Sequence, residues 1–290
     1  MKNERLSILE LKEKRDSGQK LTMLTAYDYP MARIVDAAGV DMILVGDSLG
    51  MVVLGYDSTL PVTLDDMIHH GRAVVRGSQR ALVVMDMPFM SYRISIEETL
   101  RNAGRIIQET GAQAVKLEGG QEIVEEVKAL VRAGIPVMGH VGLTPQSVNQ
   151  LGGFKVQGKD EEAARRLIRD ALALEEAGAF GLVLEGIPRQ LAGIITQKVG
   201  IPTIGIGAGA QCDGQVLVTY DLVGFFNDFV PKFVKRYANV QASVMEALEL
   251  FVQEVREGHF PAKEHTFTMN RELYHALKGA ARDDESDNDG

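Results

Sequence analysis

The feature that most constrains the fold of this chain is a regular alternation of short apolar runs with longer amphipathic segments. Most of the runs are continuous rather than alternating, which is typical of parallel strands buried on both faces. The eight runs are LTMLT (21–25), MILVG (42–46), ALVVMD (81–86), QAVKLE (113–118), IPVMGH (135–140), GLVLEG (181–186), IPTIGIG (201–207) and QVLVTYD (215–221). Eight β–α units over about 200 residues favour an α/β fold of the (β/α)8, or TIM, barrel type over a doubly wound open sheet.

Helical patterns fill the segments between the runs. Ser95 followed by Glu98 has the spacing of a capping box at the start of a helix, and Thr63 followed by Asp66 is a weaker version of it. Segments with an apolar helical face are 122–132 and 161–177, while 7–17 and 243–255 predict a helix before the first strand and another after the last. Strands and helices therefore alternate as a barrel requires.

The domain organisation follows from what separates these elements. No proline- or serine-rich linker divides the chain, so we predict one catalytic barrel domain over residues 1–275. The formal net charge is -9, but five of the acids lie in the last eight residues. Such a block is typical of a solvated end, and we predict a disordered acidic tail over residues 276–290. The rest of the chain lacks the positive field that nucleic-acid binding requires, so no nucleic-acid partner is expected.

The chain contains one cysteine, Cys212, which excludes an intramolecular disulfide and a cysteine-rich zinc site. Its surroundings do not suggest a nucleophile, so an inert thiol is the favoured interpretation. The N-terminal sequence has no apolar core of the signal-peptide type, and no apolar run approaches the length of a membrane span. We therefore expect a cytoplasmic protein without a membrane partner.

Ionisable residues stand at the ends of five consecutive runs, the second to the sixth. In a parallel barrel the carboxyl ends of all strands open onto one face, which holds the active site. Residues two apart on a strand point the same way, so Lys116 and Glu118 can both face inward. The candidates at the strand ends are Asp47 with Ser48, Asp86, Lys116 with Glu118, His140 and Glu185. Solvent exposure is the ordinary explanation for any one of them, but it explains all five less well.

Converging carboxylates in a partly buried site repel one another, and a hard divalent cation removes that repulsion. Mg²⁺ takes one or two carboxylates, keeps several waters and leaves positions for substrate oxygens. With a lysine and a histidine nearby, the acids suggest an anionic, metal-chelating substrate such as a 2-oxo acid. For His140, a structural role as a hydrogen-bonded barrel residue is an equal alternative, and the pair His69 and His70 receives no role.

Two loop segments allow more than one interpretation. The segment IGIGAGAQCDG (204–214) lacks the full glycine pattern of a dinucleotide-binding turn. A phosphate cradle after the seventh strand is one interpretation, and close backbone packing at the barrel rim is the favoured one. Segment 48–62 is too long for an ordinary connection of this type and still apolar, so we interpret it as a rim or lid that keeps the pocket dry.

Long sequence motifs extend over most of the chain, between residues 5 and 267. They are LTAYDYPMARIVDAAGVDMILVGDSLGMVVLGYDSTLPVTLDDMIHHGRAV, DMPFMSY, AVKLEGG, VMGHVGLTPQS, LGGFKVQGK, VLEGIP and IGIGAG followed by CDGQVLV. In these motifs the chain resembles the ketopantoate hydroxymethyltransferase family, a (β/α)8-barrel family related to the phosphoenolpyruvate mutase and isocitrate lyase group. The sequence departs from the family at none of the functional positions.

The resemblance implies a Mg²⁺-dependent transferase that makes ketopantoate, or 2-dehydropantoate, in pantothenate biosynthesis. The substrates would be 3-methyl-2-oxobutanoate and 5,10-methylenetetrahydrofolate, and the reaction would pass through an enolate stabilised by Mg²⁺. The implied roles are Asp47 and Asp86 for the metal with Glu118 in or beside its shell, Ser48 and Lys116 for the oxo acid that the metal also binds, Glu185 as general base, and His140 in the pocket. A homo-oligomer is implied as well.

Other functions stay open at this point. A lyase of the same barrel group would act on a 2-oxo acid or a C–P substrate without folate, although the KKCGH-type loop usual in such lyases is absent from the sequence. A non-catalytic binding module that recruits through its acidic tail is an alternative from another class. A phosphosugar-binding barrel that uses residues 204–209 is a third.

Overall fold

The computed structural model describes residues 5–225 and 230–283, and it shows eight parallel strands closed into a barrel. Each strand pairs with the next one along the chain, and the eighth closes the ring by pairing with the first. The strands are β1 (Leu21–Thr25), β2 (Met42–Val45), β3 (Leu82–Asp86), β4 (Ala114–Glu118), β5 (Val137–Gly142), β6 (Gly181–Glu185), β7 (Thr203–Ile206) and β8 (Gly214–Leu217). The (β/α)8 barrel that the sequence predicts is therefore confirmed.

Helices connect most of the strands. They are α1 (Ile8–Asp16), α2 (Tyr29–Ala37), α3 (Leu49–Val52), α4 (Leu64–Gly77), α5 (Ile96–Thr110), α6 (Val124–Arg132), α7 (Val148–Leu151), α8 (Glu161–Glu176), α9 (Arg189–Lys198), α10 (Thr219–Leu222), α11 (Val240–Glu257) and α12 (Arg271–Asp283). Short 3₁₀ turns at Gln121–Ile123 and Pro145–Ser147 precede α6 and α7. Within the part of the chain that the structure describes, no helix is long and apolar enough to cross a membrane.

Strands β2 to β7 are buried on both faces along almost their whole length, which explains their continuous apolar sequences, whereas Thr22 of β1 and Gln215 of β8 are exposed. One cluster fills the barrel interior and includes Met23, Met42 and Ala114. A second cluster lies between the strands and the helices and includes Val115 and Leu117. Because side chains alternate along a strand, the residues of β4 fall into these two layers in turn. Lys116 and Glu118 share the inward direction of Ala114 and therefore point toward the barrel axis.

The predicted helix starts at Thr63 and Ser95 are both present, but their relative strength differs from the prediction. Thr63 Oγ1 accepts a hydrogen bond from the Asp66 N–H at 3.1 Å, and Asp66 Oδ2 accepts one from the Thr63 N–H at 2.9 Å. This reciprocal pair is a full capping box at the start of α4. At α5, Ser95 Oγ accepts from the Glu98 N–H at 3.1 Å, which caps that helix in one direction.

The chain divides into two compact units, Met1–Ala238 and Asn239–Gly290. The first contains the barrel, and the second contains α11 and α12. This division differs from the predicted boundary at residue 275, because α11 belongs to the second unit and not to the barrel. Helix α12 extends through the first part of the segment 276–290, for which the sequence predicts disorder, and residues 284–290 of that segment lie outside the described residues.

Candidate active site

Strand β4 brings Lys116 and Glu118 into the carboxyl end of the barrel. The register places Lys116 beside Asp86 on β3 and Glu118 beside His140 on β5. All four side chains are buried, and Lys116 is only 3% exposed. The predicted strand-end residues of β3, β4 and β5 therefore form one cluster inside the barrel mouth.

Lys116 is the cation at the centre of this cluster. Its Nζ lies 2.7 Å from Asp86 Oδ1, 3.2 Å from His140 Nδ1 and 3.9 Å from Glu118 Oε1. Burial lowers the pKa of Lys116, but the carboxylates of Asp86 and Glu118 outweigh burial and raise it. The ammonium therefore stays charged at neutral pH. It can neutralise a neighbouring carboxylate or the carboxylate of a bound substrate.

Asp47 and Asp86 form a second pair of acids at the ends of β2 and β3. The Asp47 N–H donates to Asp86 Oδ2 at 3.1 Å, so the two side chains lie close together. Burial raises the pKa of Asp47 well above its usual range, and the negative charges of Asp86 and Glu118 raise it further. Burial also raises the pKa of Asp86, although Lys116 opposes the rise. This pair therefore has less positive charge around it than two carboxylates need.

Glu118 is better compensated than this pair. Its Oε2 accepts the Gln146 backbone N–H at 3.0 Å, and its Oε1 lies 3.4 Å from His140 Nδ1. Burial raises the pKa of Glu118, but the hydrogen bond and charge of His140, with the charge of Lys116, lower it below its usual range. Both oxygens of Glu118 therefore contact protein groups already.

His140 connects the two halves of the cluster. Its Nδ1 faces Glu118 and Lys116, and its Nε2 lies 3.2 Å from Glu185 Oε2 at the end of β6. Burial and the Lys116 ammonium lower the pKa of His140, but the two carboxylates outweigh them and raise it to about 9. Glu118 and Glu185 therefore lie on opposite sides of the ring, near Nδ1 and Nε2, although Nε2 makes no hydrogen bond among the described residues. Glu185 is the most accessible of these acids, with a side chain 15% exposed.

Ser48 lies at the start of α3, next to Asp47. Its Oγ is 2.9 Å from the hydroxyl of Tyr27, a fully buried residue after β1. Burial raises the pKa of Tyr27 strongly, so the phenol keeps its proton. Tyr27 was not among the predicted site residues, because a single aromatic residue beyond a strand end has no spacing that distinguishes it from a core residue.

Gln146 and Tyr92 are two further buried residues that sequence reasoning missed. The Gln146 amide Nε2 donates to Asp47 Oδ2 at 2.8 Å, and the Tyr92 hydroxyl donates to the amide oxygen at 2.8 Å. Tyr92 lies in the loop after β3 and Gln146 in the 3₁₀ turn Pro145–Ser147 after β5, where no periodic pattern marks an inward side chain. The only sequence signal is their position inside the motifs DMPFMSY and VMGHVGLTPQS.

The donor chemistry of the cluster fits a hard divalent cation bound by two carboxylates. In the described residues, no three or more His, Cys, Asp and Glu side chains form a group that could hold a metal ion. Two carboxylates suffice for Mg²⁺, which keeps several waters and takes ligands from its substrate. Asp86 Oδ1 has no hydrogen-bond partner among the described residues, although Lys116 forms an ion pair with it. Glu118 is the least suited of the three predicted ligands, because both its oxygens contact other groups.

The glycines of segment 204–214 have packing reasons for their identity. A Cβ at Gly205 would lie 2.9 Å from Cys212 Sγ, and one at Gly209 would lie 2.5 Å from Arg189 Cβ. Gly209 also has a φ of 84°. These contacts support the packing interpretation. Cys212 is fully buried, and burial raises the pKa of its thiol, which agrees with an inert residue.

Segment 48–62 folds back on itself. The Tyr56 N–H donates to the Gly50 carbonyl at 2.8 Å, and a Cβ at Gly50 would lie 2.5 Å from Val62 Cγ2. Val53 and Tyr56 stay exposed at its outer side. The segment is therefore a compact apolar loop beside Asp47, and its role as a lid stays a prediction.

His69 and His70 lie on α4, and the Nδ1 of His70 contacts the Tyr27 carbonyl at 2.6 Å.

Fold and cluster together define a (β/α)8-barrel enzyme with its candidate active site at the carboxyl ends of the strands. Residues 5–263 match the model of the ketopantoate hydroxymethyltransferase family. The chain therefore belongs to that family, and with it to the transferases.

Curated relatives agree with the family match. The chain is 59% identical over 270 residues to a 3-methyl-2-oxobutanoate hydroxymethyltransferase of Carboxydothermus hydrogenoformans, which covers 93% of this chain and 98% of the relative. It is 60% identical over 274 residues to an enzyme of the same name from Dehalococcoides mccartyi, which covers 94% and 98%. The whole barrel is thus shared with these relatives.

Solved structures with the same fold come from the phosphoenolpyruvate mutase and isocitrate lyase superfamily. A phosphonopyruvate hydrolase, crystallised with oxalate and Mg²⁺, aligns over 95% of each chain with a TM-score of 0.58 and 15% identity. A 2,3-dimethylmalate lyase of that superfamily aligns over 97% of each chain with a TM-score of 0.57 and 18% identity. At such identities the similarity shows the fold alone.

Proposed function

We propose that the protein transfers a hydroxymethyl group from 5,10-methylenetetrahydrofolate to 3-methyl-2-oxobutanoate and so makes 2-dehydropantoate for pantothenate biosynthesis. Family membership and the names of the relatives support the substrate and product. The observation that carries the chemistry is the buried cluster in which one lysine lies among three carboxylates, with His140 and Glu185 at its open side.

Glu185 is the proposed general base that removes the proton from C3 of the oxo acid. It is the most accessible acid of the cluster, and it lies at the side of the site opposite to Asp47 and Asp86 along the ring of strands. Its Oε2 lies 3.2 Å from His140 Nε2, which keeps the carboxylate next to the buried cluster. A carboxylate base suffices when the charge that develops on the substrate is stabilised elsewhere in the site.

The other side of the site is proposed to bind and polarise the oxo acid. Asp47 and Asp86 would hold Mg²⁺, and the bound cation would supply positive charge against the negative charge that develops on the oxo oxygen. Lys116 would neutralise the substrate carboxylate, and the Ser48 hydroxyl, held by Tyr27, would donate a hydrogen bond to it. The apolar loop 48–62 would exclude water, which would otherwise protonate the enolate before it attacks the one-carbon unit.

Exchange of the C3 hydrogen of 3-methyl-2-oxobutanoate with solvent deuterium tests this proposal, because it isolates proton removal from the folate step. We expect wild-type protein with Mg²⁺ to exchange this hydrogen in the absence of folate, as followed by NMR. Glu185→Gln should lower the exchange rate by about 1,000-fold or more while the oxo acid still binds, because a general base contributes on that order. Failure of the folded wild-type protein to exchange would refute the proposal.

A matched carboxylate outside the site provides the control. Glu109 on α5 contacts Arg72 and Arg105 at the surface, so Glu109→Gln removes a charge of the same kind far from the barrel mouth. That variant should exchange at the wild-type rate. If Glu185→Gln also exchanges normally, Glu185 is not the base. Turnover measured with and without methylenetetrahydrofolate then separates the transferase from a lyase of the same barrel group.

A homo-oligomer is also proposed. Apolar side chains of α11 are exposed, among them Val244, Leu248, Phe251 and Val255. They recur at spacings of four, three and four residues, which places them along one side of the helix. An exposed stripe of this kind is typical of a helix that packs against another chain. Light scattering of the full-length protein and of Leu248→Asp tests this proposal. We expect the mass of an oligomer for the wild type and a lower mass for the variant. The mass of a monomer in the wild type would refute the proposal.

A further inference from the structure

Gln146 lies buried between the carboxyl ends of three neighbouring strands. Its Nε2 donates to Asp47 Oδ2 at 2.8 Å and to the Met87 carbonyl at 2.9 Å. Its backbone N–H donates to Glu118 Oε2 at 3.0 Å. These bonds tie together the chain segments that end β2, β3 and β4. Among the described residues, no other residue hydrogen-bonds to both the Asp47 carboxylate and the Glu118 carboxylate.

The orientation of the Gln146 amide is determined by its partners. The Met87 carbonyl can only accept a hydrogen bond, so the nitrogen of the amide must face it. The amide oxygen lies 2.8 Å from the Tyr92 hydroxyl, which can donate to it. Both ends of the amide are therefore satisfied in one rotamer, and a flipped amide would leave two acceptors in contact.

Tyr92 extends the same network to the backbone of β4. Its hydroxyl accepts the Glu118 N–H at 3.2 Å and lies 2.9 Å from the Glu118 carbonyl oxygen. The ring is fully buried, and burial strongly raises the pKa of the phenol, so the hydroxyl keeps its proton. Gln146 and Tyr92 thus hold the main chain and the carboxylate of the same residue.

We infer that Gln146 is a positioning residue that fixes the Asp47 carboxylate for the divalent cation and is itself held in place by the Glu118 carboxylate. The inference rests on the proposed function. The amide binds only one oxygen of Asp47 and adds no charge. It therefore orients the carboxylate but does not take the place of the cation. An ammonium group at this position would neutralise the carboxylate and so would replace the cation. Groups that orient the ligands of a metal ion in this way raise its affinity by restricting them to the binding geometry.

Magnesium binding by Gln146→Met is the central test. Methionine keeps most of the side-chain length but donates no hydrogen bond, so Asp47 loses its buried partner. In calorimetry without substrate, we expect the affinity for Mg²⁺ to fall by about 10- to 100-fold. In the deuterium-exchange assay, the Mg²⁺ concentration for half-maximal rate should rise by a similar factor, while excess Mg²⁺ restores most of the maximal rate.

Gln113→Met is the matched control. The Gln113 Oε1 accepts from the Val83 N–H at 3.0 Å, and its Nε2 donates to the Gly111 carbonyl at 2.6 Å, near the amino ends of β3 and β4. This variant loses the two hydrogen bonds of its amide, against three for Gln146→Met, so its thermal midpoint should fall, but its Mg²⁺ affinity should equal that of the wild type. A merely structural role of Gln146 would give the same result for both variants.

Tyr92→Phe gives a second, milder test that does not depend on whether Gln146→Met folds. It removes the hydroxyl on the Gln146 amide oxygen and keeps the buried ring, so we expect the Mg²⁺ affinity to fall by about three-fold. If Gln146→Met folds and its Mg²⁺ affinity is unchanged, the inference is overturned. If Gln146→Met does not fold, an unchanged Mg²⁺ affinity of Tyr92→Phe overturns it. Wild-type protein that binds no divalent cation overturns it as well.

The outcomes for this inference and for the proposed function are distinguishable. Wild-type protein that binds Mg²⁺ more tightly than Gln146→Met but does not exchange the C3 hydrogen supports the role of Gln146 and refutes the proposed function. If the wild type exchanges the C3 hydrogen and both proteins bind Mg²⁺ equally well, the proposed function is supported and the role of Gln146 is refuted.

Discussion

Carboxylates lie at both ends of the barrel, and all are buried except Asp36, which is half-buried, but their surroundings differ. At the amino end, Asp36 accepts backbone N–H groups of residues 79–81, and Asp41 accepts from Lys14 and from the Thr22 N–H. Burial raises the pKa of both acids, but these donors outweigh burial and lower it below the usual range. At the carboxyl end, burial prevails instead and raises the pKa of Asp47 and Asp86.

The difference in pKa direction separates acids whose ionised form stabilises the fold from acids whose ionised form destabilises it. Ionised Asp36 and Asp41 have donors enough to favour folding. Ionised Asp47 and Asp86 have one ammonium group, one amide and one backbone N–H between them, and burial still prevails over these donors. Sites that store such unfavourable charge are typical of functional positions, where activity is retained at the expense of stability. The comparison therefore supports the proposal that the carboxyl end is the functional end.

Removing the ammonium group should have the largest effect on this comparison. Lys116→Met leaves Asp86 and Glu118 buried without their shared cation, and loss of one partner from a buried ion pair costs about 3 to 5 kcal/mol. We expect the free energy of unfolding in urea to fall by that amount without Mg²⁺. Addition of Mg²⁺ should recover part of the loss. A variant as stable as the wild type in the absence of metal would show that the acids are compensated in another way.

The sequence predicts this cluster unevenly, for physical reasons. Asp86 and Glu118 could be predicted because a continuous apolar strand ends at each, and Lys116 because strand periodicity gives it the same inward direction as Glu118 two residues later. The pairing of Lys116 with Asp86 could not, because it depends on the register between β3 and β4.

The residues that support the cluster were harder to predict. Gln146, Tyr92 and Tyr27 lie in connections, where direction is set by tertiary contacts and not by a repeating pattern. The helix α11 could be predicted from its apolar face, but its place in a second compact unit could not, because no composition change marks the boundary near Ala238.

Matched substitutions at the two ends should change stability in opposite directions. Asp36→Asn weakens the set of charged hydrogen bonds to three backbone N–H groups, and we expect a loss of about 2 to 3 kcal/mol in the free energy of unfolding. Asp47→Asn keeps an acceptor for Gln146 but removes a buried negative charge beside Asp86, and we expect a gain of about 1 kcal/mol together with weaker Mg²⁺ binding. Equal losses in both variants would remove the distinction between the ends.

Asp221 offers a pH-dependent test at the carboxyl end, away from the proposed metal ligands. It lies on α10 after β8, where burial raises its pKa to about 6, although Arg236 opposes the rise. Because the folded pKa lies above the unfolded one, ionisation of Asp221 disfavours folding. Its unfavourable contribution is absent below the unfolded pKa of about 4, grows as pH rises, and is complete above the folded pKa of about 6.

The difference in stability between Asp221→Asn and wild type should therefore change with pH in one direction only. At pH 4 and below the two proteins should be nearly equally stable, since a protonated aspartate resembles asparagine. Above pH 6 the variant should be more stable by about 2 kcal/mol, measured by urea unfolding at a series of pH values. The same substitution at Asp41, whose pKa is lowered, should make the protein less stable at neutral pH and should approach the wild type only on acidification. If both variants show the same pH profile, the two ends of the barrel do not differ in the way that their hydrogen bonds indicate.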